Sequence, residues 1–363
     1  MRIAIDCRKL ADFGIGTYLR GLLCGLSRSR TAHEFVLLGD VRRLESLALD
    51  ARFTLVSAPI PLYSLRELTA IPRLVTRHHA ALLHNPHYVT PFTSVPMVTT
   101  VHDLIHLHQP VSRRFASFYA KMMIRRALTK SQWIATVSAT VRAEIIALHP
   151  EVEKRISVTP NGVDETFFLR RSPGEIHDAQ SRLASRRYFL FAGNDKPHKN
   201  LGRLIAAFNR ISEVEEIDLV IAGAPRTIAE SPRIKRLGYV STEDLVRLYQ
   251  GAVAVVVPSL EEGFGLTALE AMAAEVAVIT SEAAALVELT GSAALHVDAT
   301  DTDAIAQALT RIAGDADLRE SCARLGAQRA REFTWDRCTE LTLEIYDRVV
   351  QTIDSGSRAA SRS

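Results

Sequence analysis

Short apolar runs alternate with longer amphipathic stretches from the first residue to about residue 350. The runs at 2–6, 34–38, 53–56, 80–84, 95–101, 132–137 and 155–159 predict seven strands. Those at 188–192, 217–223, 236–240, 252–258, 276–281 and 293–297 predict six more. Most are continuous in Val, Ile and Leu, as strands covered on both faces are, so the sheets are expected to be parallel. Helical patterns fill most of the gaps, among them 15–26, 64–77, 139–148, 200–211, 242–250, 265–274, 303–313 and 336–353. The rhythm breaks at 160–187, where Asn161-Gly162 and Pro173-Gly174 interrupt mixed charges. This predicts an α/β chain of two doubly wound domains, 1–165 and 166–350, joined by a linker and followed by a flexible tail at 351–363.

In open parallel sheets ligands bind beyond the carboxyl ends of the strands. The residues expected there are Gly14-Ile15-Gly16, Asn85-Pro86-His87, His102-Asp103, Asn161-Gly162, Lys196 to Asn200, Gly238 to Ser241 and Glu261 to Gly265. Glycine and polar side chains thus gather at one end of both sheets, which predicts an active site in an interdomain cleft.

Composition trims the possibilities. The chain has 363 residues, 47% hydrophobic and 23% charged, which fits two globular domains and excludes a fibrous or disordered protein. A net charge of +3 is too small to announce a nucleic-acid partner. Divided at residue 165, it separates into +8 and −5, so one half is suited to an anionic surface. Four cysteines without zinc spacing fit a reduced, cytoplasmic compartment. The start lacks the apolar core of a signal peptide, and no apolar run is long enough to span a membrane.

Glu262-Gly263-Phe264-Gly265-Leu266 follows the apolar run 252–258 and opens a helix that carries Glu270. Glycines let the backbone approach a ligand, and a helix start offers N–H groups to phosphate or sugar oxygens. Two carboxylates eight residues apart suit hydroxyls at either end of a long ligand.

The stretch EGFGLTALEAMA resembles the glutamate-x7-glutamate motif of the retaining glycosyltransferases of family 4. Other segments agree in order: GIGTYLRGLL with the glycine loop after the first strand, TVHDLI with the catalytic-loop histidine, and VTPNGVD with the interdomain linker. GNDKPHKNL is similar to the phosphate-binding turn, GYVSTEDL to the base-binding turn, and EFTWDRC to the start of the last helix. The resemblance covers residues 1–350 and implies the GT-B architecture: two Rossmann-like domains facing across a cleft, with a C-terminal helix returning toward the first.

It also implies roles. Glu270 would bind ribose hydroxyls, and Glu262 the transferred sugar. Backbone N–H groups of Gly263, Phe264, Gly265 and Leu266 would face sugar and phosphate, and Val240 the base. Lys199 would neutralise the diphosphate. Asn194 stands where the family often has arginine, so Lys196 is the candidate replacement cation. His102 would face the donor sugar, with Asp103 orienting it or meeting the acceptor. Gly14 and Gly16 would line the donor site. A dinucleotide fingerprint fails there because Leu19 occupies the third glycine position. Asp301-Thr302-Asp303 spells a metal motif of another glycosyltransferase fold, but an N-cap with an acidic first turn explains it.

The implied reaction is metal-independent, needs no cofactor, and moves mannose from GDP-mannose onto a lipid-linked or oligosaccharide acceptor. A UDP-sugar donor, a sugar-nucleotide epimerase or hydrolase, and a non-catalytic nucleotide-binding subunit are the alternatives. Residues 112–130 hold Arg113, Arg114, Lys121, Arg125, Arg126 and Lys130 with interleaved aromatics and no acid. That basic stretch predicts peripheral contact with an anionic membrane.

Overall fold

The apolar runs pair in parallel because helices take both faces of each sheet. A computed structural model describes residues 1–108, 114–183, 185, 187–211, 216–223 and 232–360. The first sheet contains β1 (Arg2–Asp6), β2 (Glu34–Gly39), β3 (Phe53–Ser57), β4 (Leu82–Asn85), β5 (Met97–Val101), β6 (Trp133–Thr136) and β7 (Ile156–Val158), in the order β3-β2-β1-β4-β5-β6-β7. The second contains β8 (Tyr188–Ala192), β9 (Asp218–Ala222), β10 (Ile234–Gly238), β11 (Ala254–Val257), β12 (Val278–Ser281) and β13 (Leu295–Val297), in the order β10-β9-β8-β11-β12-β13. Both orders reverse direction once, beside β1 and β4 and beside β8 and β11. These are the points at which doubly wound sheets open a crevice.

Alternate residues of β1 show why the strands read as continuous apolar runs. Ile3 lies opposite Phe35 of β2 and Leu82 of β4. Ile3 and Ile5 enter one core with Tyr18, Leu22 and Trp335, while Ala4 enters another with Ile71 and Val75. In the second sheet Phe189, Ile221, Val256 and Ile279 pack with Leu204 and Phe208 of the helix Leu201–Asn209 and with Leu309 of the helix Thr302–Gly314. Each fully buried side chain of this size contributes about 1.5–3 kcal/mol.

The chain divides into two units, Met1–Gly162 with Thr334–Ser363, and Val163–Phe333. Residues 334–350, inside the bounds expected for the second domain, group with the first unit, in line with the returning C-terminal helix that the resemblance implies. The last helix, Trp335–Ala360, packs on the helix Gly14–Arg28 where two glycines make room. A Cβ at Gly21 would stand 2.0 Å from the Trp335 ring, and one at Gly25 2.0 Å from Thr339 Oγ1.

Two other expectations are corrected. The stretch 160–187 is not a plain linker. It holds a 3-10 turn, Glu165–Phe168, and a helix, Pro173–Arg182, started by a reciprocal capping box between Ser172 and Glu175. Pro173 sits at the helix start, where its missing N–H costs nothing. The tail expected from residue 351 continues as helix to Ala360, and 361–363 lie outside the described residues. Ser112 and Arg113 of the basic stretch also lie outside them, and the rest forms the helix Arg114–Lys130. Among the described residues no helix is long and apolar enough to cross a membrane.

Candidate active site

In the second unit, β8 and β11 deliver two loops to the switch point. The β8 loop passes Gly193 and Asn194, whose Oδ1 accepts the Lys196 N–H at 3.2 Å. It then forms the 3-10 turn Pro197–Lys199, and Asn200 takes up a left-handed conformation (φ 58°) as N-cap of the next helix. The Asn200 amide donates to the carbonyls of Pro258 (3.0 Å) and Ala299 (2.7 Å). Leu260 N–H donates to the His198 carbonyl at 2.7 Å. The two loops are thus pinned to each other on both sides of Lys199.

That pinning brings Lys199 Nζ within 2.6 Å of Glu262 Oε1. Ser259 Oγ donates to the same oxygen at 2.7 Å, and Ser281 Oγ donates to the Ser259 carbonyl. The Glu262 side chain is 10% exposed, so a carboxylate and an ammonium share a partly desolvated corner. Lys196 is exposed.

Phe264 is buried and meets Phe333 edge to face at 5.8 Å. Gly265 adopts φ 105° as N-cap of the helix Leu266–Ala273, and a Cβ there would stand 2.5 Å from Leu286 Cδ2. Glycine is therefore required by backbone and packing together. Glu270 lies one turn into that helix, and Tyr249 Oη donates to its Oε2 at 3.0 Å. Val240 lies in an exposed turn after β10, beside Tyr239, which is 84% exposed. Asp301 caps the helix Thr302–Gly314 through the N–H groups of Asp303 and Ala304, so the metal-like triplet serves as an N-cap, as its sequence predicts.

In the first unit, His102 follows β5. Its Nε2 donates to the Pro86 carbonyl at 3.1 Å, which fixes the proton on Nε2 and leaves Nδ1 as an acceptor. Its ring meets Tyr18 edge to face at 4.8 Å. Burial pushes His102 down to about 4, with His87 and Lys9 adding to the effect, so the imidazole is neutral at ordinary pH. Asp103 does not orient it. Its Oδ1 accepts the Ile105 N–H at 3.1 Å and starts the short helix Ile105–His108.

Gly16 has a packing reason, since a Cβ would stand 2.6 Å from the Leu10 carbonyl. At Gly14 a Cβ would meet nothing within 4 Å.

The sequence placed His87 beyond a strand end but did not single out Asp6, Arg8 and Glu67. Arg8 is buried between Asp6 (2.6 Å) and Glu67 (2.8 Å), and His87 Nε2 donates to Asp6 at 3.3 Å while its Nδ1 accepts Val89 N–H. These bonds hold Asp6 well below the ordinary carboxylate range despite its burial. They fix the ends of β1 and β4 at the switch point. Ser259 and Tyr249 were missed as well, and Asn200 was expected only as the end of the loop from Lys196. Only the placement of Ser259 directly after a buried strand could have signalled one of them.

The chain matches two family models, "Glycosyltransferase Family 4" over residues 14–167 and "Glycosyl transferases group 1" over 174–329. It is 31% identical over 281 residues to O-antigen chain mannosyltransferase B of Escherichia coli, covering 73% of this chain and 74% of that protein. It is 27% identical to an alpha-maltose-1-phosphate synthase of Mycolicibacterium smegmatis over 83% of this chain and 84% of that one. Among solved structures, a sucrose-phosphate synthase from Thermosynechococcus elongatus superposes with a TM-score of 0.77 at 19% identity, over 97% of this chain and all of that one. That likeness establishes the GT-B fold.

Proposed function

The chain belongs to glycosyltransferase family 4, and from that premise we propose that it transfers mannose from GDP-mannose, with retention and without a metal, to a lipid-linked or oligosaccharide acceptor. The likeness to the O-antigen mannosyltransferase carries the sugar. The paired Lys199 and Glu262 at the second unit's switch point carry the site.

In this reading the donor lies on the second unit. Glu270 accepts from ribose hydroxyls and Glu262 from the sugar. Lys199 and the N–H groups opening the helix Leu266–Ala273 take the charge that develops on the departing diphosphate. They supply the positive charge for which a divalent ion would otherwise be recruited. Gly14 leaves space for close approach, and Lys196 is placed to add a second cation. His102 offers its Nδ1 lone pair to a sugar hydroxyl. The acceptor oxygen bonds to the anomeric carbon as the carbon–oxygen bond to phosphate breaks. The acceptor proton passes to the leaving phosphate oxygen.

The acceptor side is assigned to the first unit and to the cytoplasmic face of a membrane. Support comes from the helix Arg114–Lys130. Phe118 is 69% exposed, and Met122, one turn on, is exposed beside Lys121 and Arg125. Arg126 stacks over the exposed Phe92 ring at 4.4 Å. Each cation near anionic lipid adds about 1 kcal/mol. The full chain should sediment with phosphatidylglycerol vesicles at low salt and be released at high salt. Replacement of Phe118 and Met122 by serine should abolish this, and indifference to those vesicles would reject the contact.

A UDP-glucose donor is the second reading. It draws on the likeness to the alpha-maltose-1-phosphate synthase. Thermal unfolding with GDP-mannose, UDP-glucose and ADP-glucose separates the two. A ligand at 100 times its Kd stabilises by about 2.7 kcal/mol, so GDP-mannose should raise Tm most. A larger shift with UDP-glucose reverses the assignment.

A further inference from the structure

We propose that Tyr249 is a positioning residue for nucleotide recognition: its buried phenol fixes the Glu270 carboxylate in the orientation that reads the ribose. This rests on the reading of Glu270 as the ribose-binding group.

Tyr249 closes the helix Thr242–Gly251 and is fully buried. Its hydroxyl donates to Glu270 Oε2 at 3.0 Å. Burial, and then the nearby carboxylate, raise the phenol well above its ordinary value, so it stays protonated and acts as a donor. A buried hydroxyl needs a partner, and here the partner is the second glutamate of the motif.

The phenol is held from three directions. Phe167 packs against its ring at 6.0 Å. Gln250, the next residue, donates to the Leu169 carbonyl (3.0 Å) and accepts the Arg171 N–H (2.9 Å), strapping residues 165–171 to the end of the helix. Behind it, Tyr188 Oη donates to the Leu248 carbonyl at 2.8 Å. A glutamate on a helix surface normally samples several rotamers. A charge-assisted bond from an immobile donor removes that freedom before a nucleotide arrives. The same helix begins at Ser241, directly after the Tyr239-Val240 turn proposed for the base. Base and ribose recognition therefore share one rigid support.

The test is isothermal titration of the full chain with GDP, UDP and their 2′,3′-dideoxy forms, combined with donor kinetics. Wild type should bind the preferred ribonucleotide at least tenfold more tightly than its dideoxy form. Tyr249→Phe should lose most of that preference while binding the dideoxy form as wild type does. Its KM for the donor should rise about tenfold with kcat within twofold. In an E270Q background the same substitution should change nothing further. Phe167→Leu, which loosens the ring but keeps both polar groups, should give a smaller loss in the same direction. A Y249F protein that keeps the full preference, or weakens both forms equally, overturns the inference while the ribose reading stands. A wild type that does not distinguish the two forms overturns the reading of Glu270 and the inference with it.

Discussion

Glu262 has two duties that pull in opposite directions. In the structure it neutralises Lys199 at 2.6 Å, while the proposed reaction needs Lys199 to face a diphosphate. An arriving nucleoside diphosphate must therefore compete with Glu262 for the ammonium. Glu262→Gln should cut transfer by about 10²-fold, the usual cost of losing a transition-state contact. It should also tighten binding of the sugar-free nucleoside diphosphate, because Lys199 is released. Lys199→Met should weaken both. Titration calorimetry distinguishes the pair, and weaker diphosphate binding in E262Q would refute the counter-ion role. Glu262, Glu270 and Gly265 stood out in the sequence by their spacing at a strand–helix junction, and Lys199 by the family resemblance. The partners of Ser259, Asn200 and Tyr249 were not legible. Serine, asparagine and tyrosine are common, and their roles lie in partners that only folding brings near.

Among the elements, the strands were the most legible. A run such as Tyr188-Phe189-Leu190-Phe191 can hardly be anything but a doubly covered strand. The helix Pro173–Arg182 was hidden because it has no long apolar stripe and its Pro-Gly start reads as a turn. Its stability leans on the capping box, so Ser172→Ala should cost about 1 kcal/mol in denaturant unfolding. No loss would mean that packing on the helix Thr242–Gly251 holds it instead. The last helix depends on a different device. Gly21→Ala drives a methyl into the Trp335 ring and should destabilise by about 1–3 kcal/mol. The cost should largely vanish when Trp335 is reduced to Leu in the same chain, and additive losses would deny the contact.

At the scale of the whole molecule, the boundary matters for charge. With residues 334–363 joined to the first unit, the units carry +9 and −6, a sharper separation than division at residue 165 gives. The family resemblance implied the return of the last helix to the first domain; sequence pattern alone does not show it, because it depends on which helix finds the gap at Gly21 and Gly25. Acid should also unfold the protein in a defined window. Burial holds His84 down at about 3, and His102 at about 4, against an ordinary value of 6.5. The unfolded chain takes up these protons below pH 6.5 while the folded one refuses them. The stability present above pH 6.5 is therefore lost progressively toward pH 4 and 3. Tm should fall by several degrees between pH 7 and 4.5, and His84→Gln should flatten part of that slope. A level Tm would contradict the neutral imidazoles.

Whether Lys199 and Glu270 hold a nucleotide-sugar on the second unit is tested most directly by the Kd of the full chain for whichever nucleotide-sugar raises its Tm most, compared with Lys199→Met and Glu270→Gln. Each variant should lose at least tenfold in affinity with unfolding of the free protein unchanged. Wild-type affinity in both would place the donor elsewhere and contradict that assignment.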